Sequence, residues 1–443
     1  MVSSTSPASS RRPAPRWGDG PTLTRRSVLA AAALTPLAAA LAACGGTSTL
    51  GERSSTRLAM MNDNAGWLDG YRSAGEALQQ VTGYDFDVNS IANNYNQIVK
   101  MSIQTRKIAD VVKWQSGYPL TELVRGGRLA ELDDVWDQAV AQGRVDESLR
   151  PFVSVDSHVY GLPLYKSHFA FYYSKAAFER FGLHPPDTYD DLIEIARTLK
   201  GNGVTPFSAQ YTAWQPMCWF EELLTKTDPE FYLALTSGQA AYTDPTLLDV
   251  LRRWSELMAN DWFTALDLDV ASACGPMLRD GTLGMVPYGT WNSGSFVANG
   301  VEPGEHFGLF NLPPITRGVE HTVIVESGVF TLPRQSPNHA AALDVIGEWL
   351  APSVQQPWSD YLQDSSANPD VPVRNPAVVE LQEQLARTEA TPLQRFYESS
   401  PPQLVQTVLS DVSAFMLAPS RYREAAEQMA RHADEAWTDW NLA

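Results

Sequence analysis

Cysteine is scarce in this sequence: three residues in 443, at positions 44, 218 and 274, with no CxxC pair. That spacing excludes a cysteine metal cage and a dithiol redox motif. The seven histidines, at 158, 168, 184, 306, 321, 339 and 432, lack the spacing of a metal-ligand set. There is no glycine-rich phosphate loop, no GxSxG elbow and no HExxH helix, so no metal and no cofactor is called for. Positive charge is also in short supply. Lys and Arg total 33 against 51 Asp and Glu, a formal charge of −18, which argues against nucleic acid and against anionic ligands as main partners. A glycosidase-type carboxylate pair needs no proximity in sequence, so that chemistry stays open, although no stretch singles one out.

Long apolar runs are absent but for one. Residues 28–43 are almost purely apolar, a stretch of 16, shorter than the roughly 20 residues that span a bilayer. It follows a basic segment carrying Arg11, Arg12, Arg16, Arg25 and Arg26 and ends in small residues, the layout of a signal peptide. Thr24-Arg25-Arg26-Ser27-Val28-Leu29 resembles a twin-arginine export motif, and Leu41-Ala42-Ala43-Cys44 resembles a lipobox that would acylate Cys44. The expectation is a signal peptide over 1–43, a polar tether over 44–56, and a body held by lipid at the extracytoplasmic face of the membrane. Loss of 1–43 removes five Arg and one Asp, taking the charge from −18 to −22. Cys218 and Cys274 would then lie in an oxidising compartment, and the sequence leaves their pairing open.

The remaining chain of about 400 residues exceeds what one core usually supports, so two lobes are expected. Residues 57–61 read as a strand. Trp67, Tyr71, Ala74, Leu78 and Val81 then recur on one helical face, and Gly83 stops the helix. Strands at 86–89 and 109–112 with a helix at 96–105 continue a βαβα rhythm, which implies a parallel sheet covered by helices. Further on, 170–173 reads as a strand and 175–181 as a helix. Thr188 with Asp191 caps another helix, 283–288 and 322–330 read as strands, and 340–350 and 422–440 as helices.

What the chain has in quantity is tryptophan: 13 residues, of which Trp67, Trp114, Trp214 and Trp291 stand beside polar or Gly residues in predicted loops. Indole faces suit the C–H patches of a sugar ring, and neighbouring amides suit its hydroxyls. Three segments carry a resemblance: Ser157 through Tyr165 (SHVYGLPLY) with Phe171-Tyr172-Tyr173-Ser174-Lys175, Phe181 through Leu192 (FGLHPPDTYDDL), and Met277 through Gly281 with Gly284 through Asn292 (GMVPYGTWN). Together with Ala109-Asp110-Val111-Val112 and Gly127 through Leu132 they resemble the extracellular solute-binding proteins of family 1, over nearly all of the chain after the signal region.

The resemblance implies an α/β, two-lobe periplasmic-binding-protein fold of type II, each lobe a mainly parallel sheet flanked by helices and joined by hinges. Lobe 1 would comprise 57–165 and 318–368, and lobe 2 would comprise 166–317 and 369–443, with crossings near Tyr165, near 313–318 and near 369–375. The implied ligand residues are Asn62, Asp63, Trp114 and Gln115 on lobe 1, Tyr165 and Lys166 at the first crossing, Gln210, Tyr211, Trp214, Trp291 and Asn292 on lobe 2, and Glu326 and Ser327 at the second return. At Lys166-Ser167 the chain has no carboxylate, where some members carry one. The implied function is capture of a carbohydrate by a monomer that hands it to an ABC permease, with no catalysis. The alternatives are another solute (a polyol, a glycerol phosphate derivative or a polyamine), a surface-anchored glycoside hydrolase, and a sensor or adhesion lipoprotein.

Overall fold

A computed structural model describes residues 56–91, 93–105 and 108–442; the signal-peptide, Cys44 and most of the tether expectations lie outside the described residues. Eleven strands build two sheets. The first has the order β2-β1-β3-β10-β4, with β1 at Arg57–Asn62, β2 at Asp85–Ser90, β3 at Val111–Gln115, β4 at Leu162–Pro163 and β10 at Gly328–Thr331. The second has the order β11-β9-β5-β7-β6, with β8 paired to β5 off that path. Here β5 is Ser167–Ser174, β6 Thr205–Phe207, β7 Leu283–Gly289, β8 Phe307–Phe310, β9 Thr322–Glu326 and β11 Thr391–Gln394.

Local sequence explains the first sheet's entry. After β1, the helix Leu68–Thr82 buries Tyr71, Ala74 and Leu78 and ends at Gly83, whose φ of 77° serves the left-handed C-cap. Val81, read as part of the apolar face, is 47% exposed. In the second lobe, Thr188 and Asp191 form the reciprocal capping box of the helix Tyr189–Gly201.

Both sheets are mixed rather than mainly parallel. β1 runs parallel to β2 and β3, but β10 runs antiparallel to β3 and to β4. In the second sheet β5 is antiparallel to β7, β8 and β9, while β6 with β7 and β9 with β11 are parallel. The antiparallel strands β5 and β10 are the ones that arrive from the other lobe.

The expected strand over 322–330 is two strands in different sheets. Thr322–Glu326 pairs with β5 and β11 in the second sheet, and Gly328–Thr331 pairs with β3 and β4 in the first. The second crossing is therefore at Ser327, not at 313–318, and 318–326 belongs with lobe 2. The helix Pro352–Leu362 packs on Leu68–Thr82 of the first lobe, whereas Pro376–Arg387 packs on β8 of the second, so the chain crosses again between them.

Each sheet has its own core. One apolar cluster surrounds β1, β3 and β10 and includes Trp114, Trp136, Trp349 and Trp358; two others flank the second sheet. Trp291 packs against both the first-lobe cluster and one of the second. Cys218 and Cys274 are buried free thiols. Among the described residues no helix is long and apolar enough to cross a membrane.

Candidate ligand cleft

The first wall of the cleft grows from the end of β1. Asn62 is fully buried, and its amide donates to Asn64 O at 2.6 Å and to Ser90 Oγ at 3.0 Å, which fixes the turn. Asn64 Oδ1 accepts from the Gly66 amide at 2.9 Å and starts a single helical turn that carries Trp67. Trp67 stands edge-on to Tyr165 and Trp358, with centroids 5.5 and 5.6 Å away, and Lys113 Nζ lies 5.4 Å from its centroid. Lys113 in turn donates to both oxygens of Asp63 at 2.7 Å. Tyr361, from the helix Pro352–Leu362, donates its hydroxyl to Gly66 O.

The second wall forms where β7 ends. Trp291 folds back over Gly289; a Cβ at 289 would lie 2.3 Å from the indole nitrogen, so only glycine admits the ring there. Trp214 follows Ala213, a non-glycine residue at φ 55°, a strained conformation held where the loop presents the indole. Trp214, Tyr288 and Trp291 form one aromatic group, with centroids 5.0 to 5.9 Å apart. The walls meet edge-to-face, Trp67 and Trp291 lying 6.3 Å apart at 77°. Beside them Gly294 approaches Tyr361 so closely that a Cβ would sit 2.4 Å from its carbonyl oxygen.

Between the walls is a cavity of about 460 Å³, lined by Asn64, Gly66, Trp67, Trp214, Ala271, Tyr288, Trp291, Asn292, Gly294, Ser295, Ala298, Tyr361 and Leu362. None of these side chains is charged. Asn292 is 3% exposed and its Nδ2 has no protein partner among the described residues, a donor left over for a ligand hydroxyl.

Charge lies behind the second wall instead. Glu326 accepts from Tyr165 OH at 2.9 Å, from Trp291 Nε1 at 3.2 Å and from Arg395 Nη1 at 2.9 Å. The Arg395 guanidinium stacks within 4.7 to 5.1 Å of the Phe169, Trp214 and Tyr397 rings. Burial opposes its charge, but Glu326, Glu398 and Glu221 override that and hold it protonated. Burial pushes the Glu221 carboxyl up to about 8 and that of Glu398 up to about 7. At the third crossing, burial likewise raises Asp364 to about 7, although Ser167 and Thr290 donate to it.

The sequence-implied ligand residues therefore divide. Trp214, Trp291 and Asn292 line the cleft. Asn62, Asp63, Tyr165 and Glu326 lie beneath it, their polar atoms bound to other protein groups. Trp114 has no face to offer: it is fully buried, donates to Pro119 O at 2.9 Å and packs on Tyr95. Gln210 is bound to Val270 N and Thr212, Tyr211 packs on the second-lobe core, and Ser327 Oγ donates to Gly328 O. Gln115 Oε1 is buried without a partner among the described residues, away from the cleft lining. Lys166 lines a separate cavity of about 320 Å³ at the hinge, with His168. Asn64, Tyr288, Ser295 and Tyr361 were missed, and Trp67 was seen only as a loop aromatic. Elsewhere, His158 meets Glu131 and Asp133 on the surface, where Arg334 and Arg150 offset the acids.

Residues 65–356 match the family model of bacterial extracellular solute-binding proteins. An uncharacterized ABC transporter extracellular-binding protein of Pyrococcus horikoshii is 27% identical over 311 residues, 66% of this chain and 68% of that protein. A probable sugar-binding periplasmic protein of Brucella suis is 26% identical over 58% of this chain, which spans 61% of its length. Among solved structures, the bacterial solute receptor AcbH, described as exclusively preferring β-D-galactopyranose, matches with a TM-score of 0.77 at 18% identity, covering 86% of this chain and 98% of that one. A chitin oligosaccharide binding protein matches with a TM-score of 0.76, also at 18% identity, over 86% of this chain and 98% of its own. At such identities the structural likeness speaks for the two-lobe fold alone.

Proposed function

The chain belongs to the bacterial extracellular solute-binding protein family, and from that premise we propose that it captures a neutral carbohydrate in the aromatic cleft and delivers it to the permease of an ABC importer. The observation that carries this is the lining itself: five aromatic side chains, two amides and three hydroxyls, and no charged side chain. Indole faces take up the apolar face of a pyranose, while Asn64, Asn292 and Ser295 supply donors and acceptors for its hydroxyls. A glycerol phosphate would find no cation here and a polyamine no carboxylate. A volume of about 460 Å³ falls in the range of small-molecule sites, roughly 300 to 1,000 Å³.

Binding without chemistry is part of the proposal. A retaining or inverting glycosidase needs two carboxyls across the bond to be cut. Glu326, the carboxylate behind Trp291, already has its oxygens committed to Tyr165, Trp291 and Arg395. Because the cleft walls come from both lobes, a sugar that touches both favours the closed arrangement by its differential affinity for it. The signal peptide, twin-arginine export and acylation at Cys44 complete the reading: a monomeric lipoprotein held at the outer face of the cell membrane. The sugar-binding name of the Brucella suis relative supports the same ligand class.

The test is a thermal-melting panel on the mature protein. Neutral mono- and oligosaccharides are set against glycerol 3-phosphate and spermidine. A ligand at about 100 times its dissociation constant adds roughly 2.7 kcal/mol of stability. A saturable rise with at least one neutral sugar and none with the charged ligands is expected; the reverse pattern overturns the proposal.

A further inference from the structure

The hinge carries a second cavity that the sugar reading does not use. Along β5 and the two residues before it, side chains alternate between two faces. Tyr165 and Phe169 face the cleft side, touching Trp67 and Trp214 respectively. Lys166 and His168 face the other side and line a space of about 320 Å³. Its remaining lining comes from both lobes and from the third crossing, including Asp146, Leu149, Ser365 and Leu385.

We propose that this hinge cavity is a second ligand site, for a short aliphatic monocarboxylate held by Lys166 and Ser365. Among the described residues Lys166 Nζ makes no hydrogen bond or close ion pair and its side chain sits against the cavity; the Asp146 carboxyl of the same lining is held below its ordinary range by the Ser148 hydrogen bonds first and by the Lys166 charge as well. Ser365 Oγ accepts from Gln382 Nε2 at 3.0 Å, which leaves its own proton to donate. A carboxylate's two oxygens can take an ammonium and a hydroxyl together. His168 is 6% exposed with Nδ1 unpartnered, and burial lowers its pKa to about 3, so the ring is neutral and adds no second positive charge. Asp146 is the other charged group in the lining. It already caps the Ser148 amide at 2.9 Å, and it opposes any ligand with more than one negative charge. Leu149, Leu385 and Pro369 offer apolar surface to a short alkyl chain, which distinguishes the site from one for a bare inorganic ion.

The experiment titrates sodium butyrate into the mature, sugar-free protein at constant ionic strength, with sodium chloride and sodium phosphate as controls, and follows thermal melting. Wild type and Trp291→Ala should both show a saturable rise beyond chloride and phosphate. Lys166→Gln should bind butyrate about tenfold or more weakly, and Ser365→Ala several-fold more weakly, each melting normally without butyrate. No rise beyond chloride in wild type overturns the proposal, as does an equal rise in Lys166→Gln or an equal response to phosphate. A response lost in Trp291→Ala but kept in Lys166→Gln would move the anion to the aromatic cleft and also overturn it. Since Trp291→Ala separates the two sites, failure here leaves the sugar reading standing.

Discussion

The two walls of the cleft present the same chemistry to a ligand and are held by different forces. On the first wall, rings hold rings. Trp67 leans on Tyr165 and Trp358, Trp358 leans on Tyr71 and Trp349, and the nearest charges, Lys113 and Asp63, are paired to each other. On the second wall a buried ion cluster holds the rings. Glu326 fixes the Trp291 indole N–H, and Arg395 stacks on Trp214. A neutral binding surface is therefore compatible with strong charge one layer back. There the low dielectric fixes ring orientation without offering an ion to the ligand.

The contrast can be broken most forcefully at Arg395. Arg395→Met leaves Glu326, Glu398 and Glu221 buried without their shared cation and should cost about 3 to 5 kcal/mol in urea unfolding. A cost below about 1 kcal/mol would mean that the second wall, too, is held by packing.

Trp291→Ala sharpens it next. Losing the platform should remove about 50 to 100 Å² of apolar contact with a sugar, roughly 1 to 3 kcal/mol or about ten- to a hundredfold in affinity by calorimetry. Unfolding without ligand separates this from lost stability, since Trp291 also packs between the lobes.

The ion cluster should also make stability pH-dependent. Glu221, Glu398 and Asp364 have folded values of about 8, 7 and 7, above their ordinary 4.5, 4.5 and 3.8. Their contribution is full below the ordinary values and is lost as pH rises through 7 to 8. His168, lowered from 6.5 to about 3, acts oppositely and loses stability only as pH falls below 6.5. Three groups outweigh one, so the urea midpoint should be higher at pH 6 than at pH 8, and Glu221→Gln should flatten that slope. A midpoint that rises toward pH 8 would contradict the assignment. A smaller effect belongs to the first wall: Asp63→Asn takes the charge opposite the largely buried Lys113, while Asp63 itself is a quarter exposed, and should cost about 1 to 3 kcal/mol in urea unfolding.

The sequence was most legible where periodicity is local. The turn after β1, the helix stopped by Gly83 and the Thr188–Asp191 box depend on neighbours a few residues apart. The strand at 322–330 was misread because an apolar run looks the same whether one sheet or two bury it; only Ser327 marks the break. Trp114 reads as a loop aromatic, but the strand runs on to Gln115, and which face of it Trp114 takes depends on the sheet. Tyr361 left no signal, since which helical face meets a cleft is decided by the packing of two lobes. Arg395, Glu398 and Glu221 converge from distant segments, and nothing in the local sequence joins them. Trp291 and Trp214 stand beside Gly, Thr or polar residues, as Trp114 does, so the fold and not the local sequence separates the cleft-lining indoles from the core one.

The central claim is that a neutral sugar lies among these indoles. A tryptophan-fluorescence titration with the best saccharide from the melting panel tests it directly. The account predicts a saturable emission change that is insensitive to added salt and that needs about ten- to a hundredfold more sugar in Trp291→Ala. A change that weakens steeply with salt, or that persists unaltered in Trp291→Ala, would contradict it.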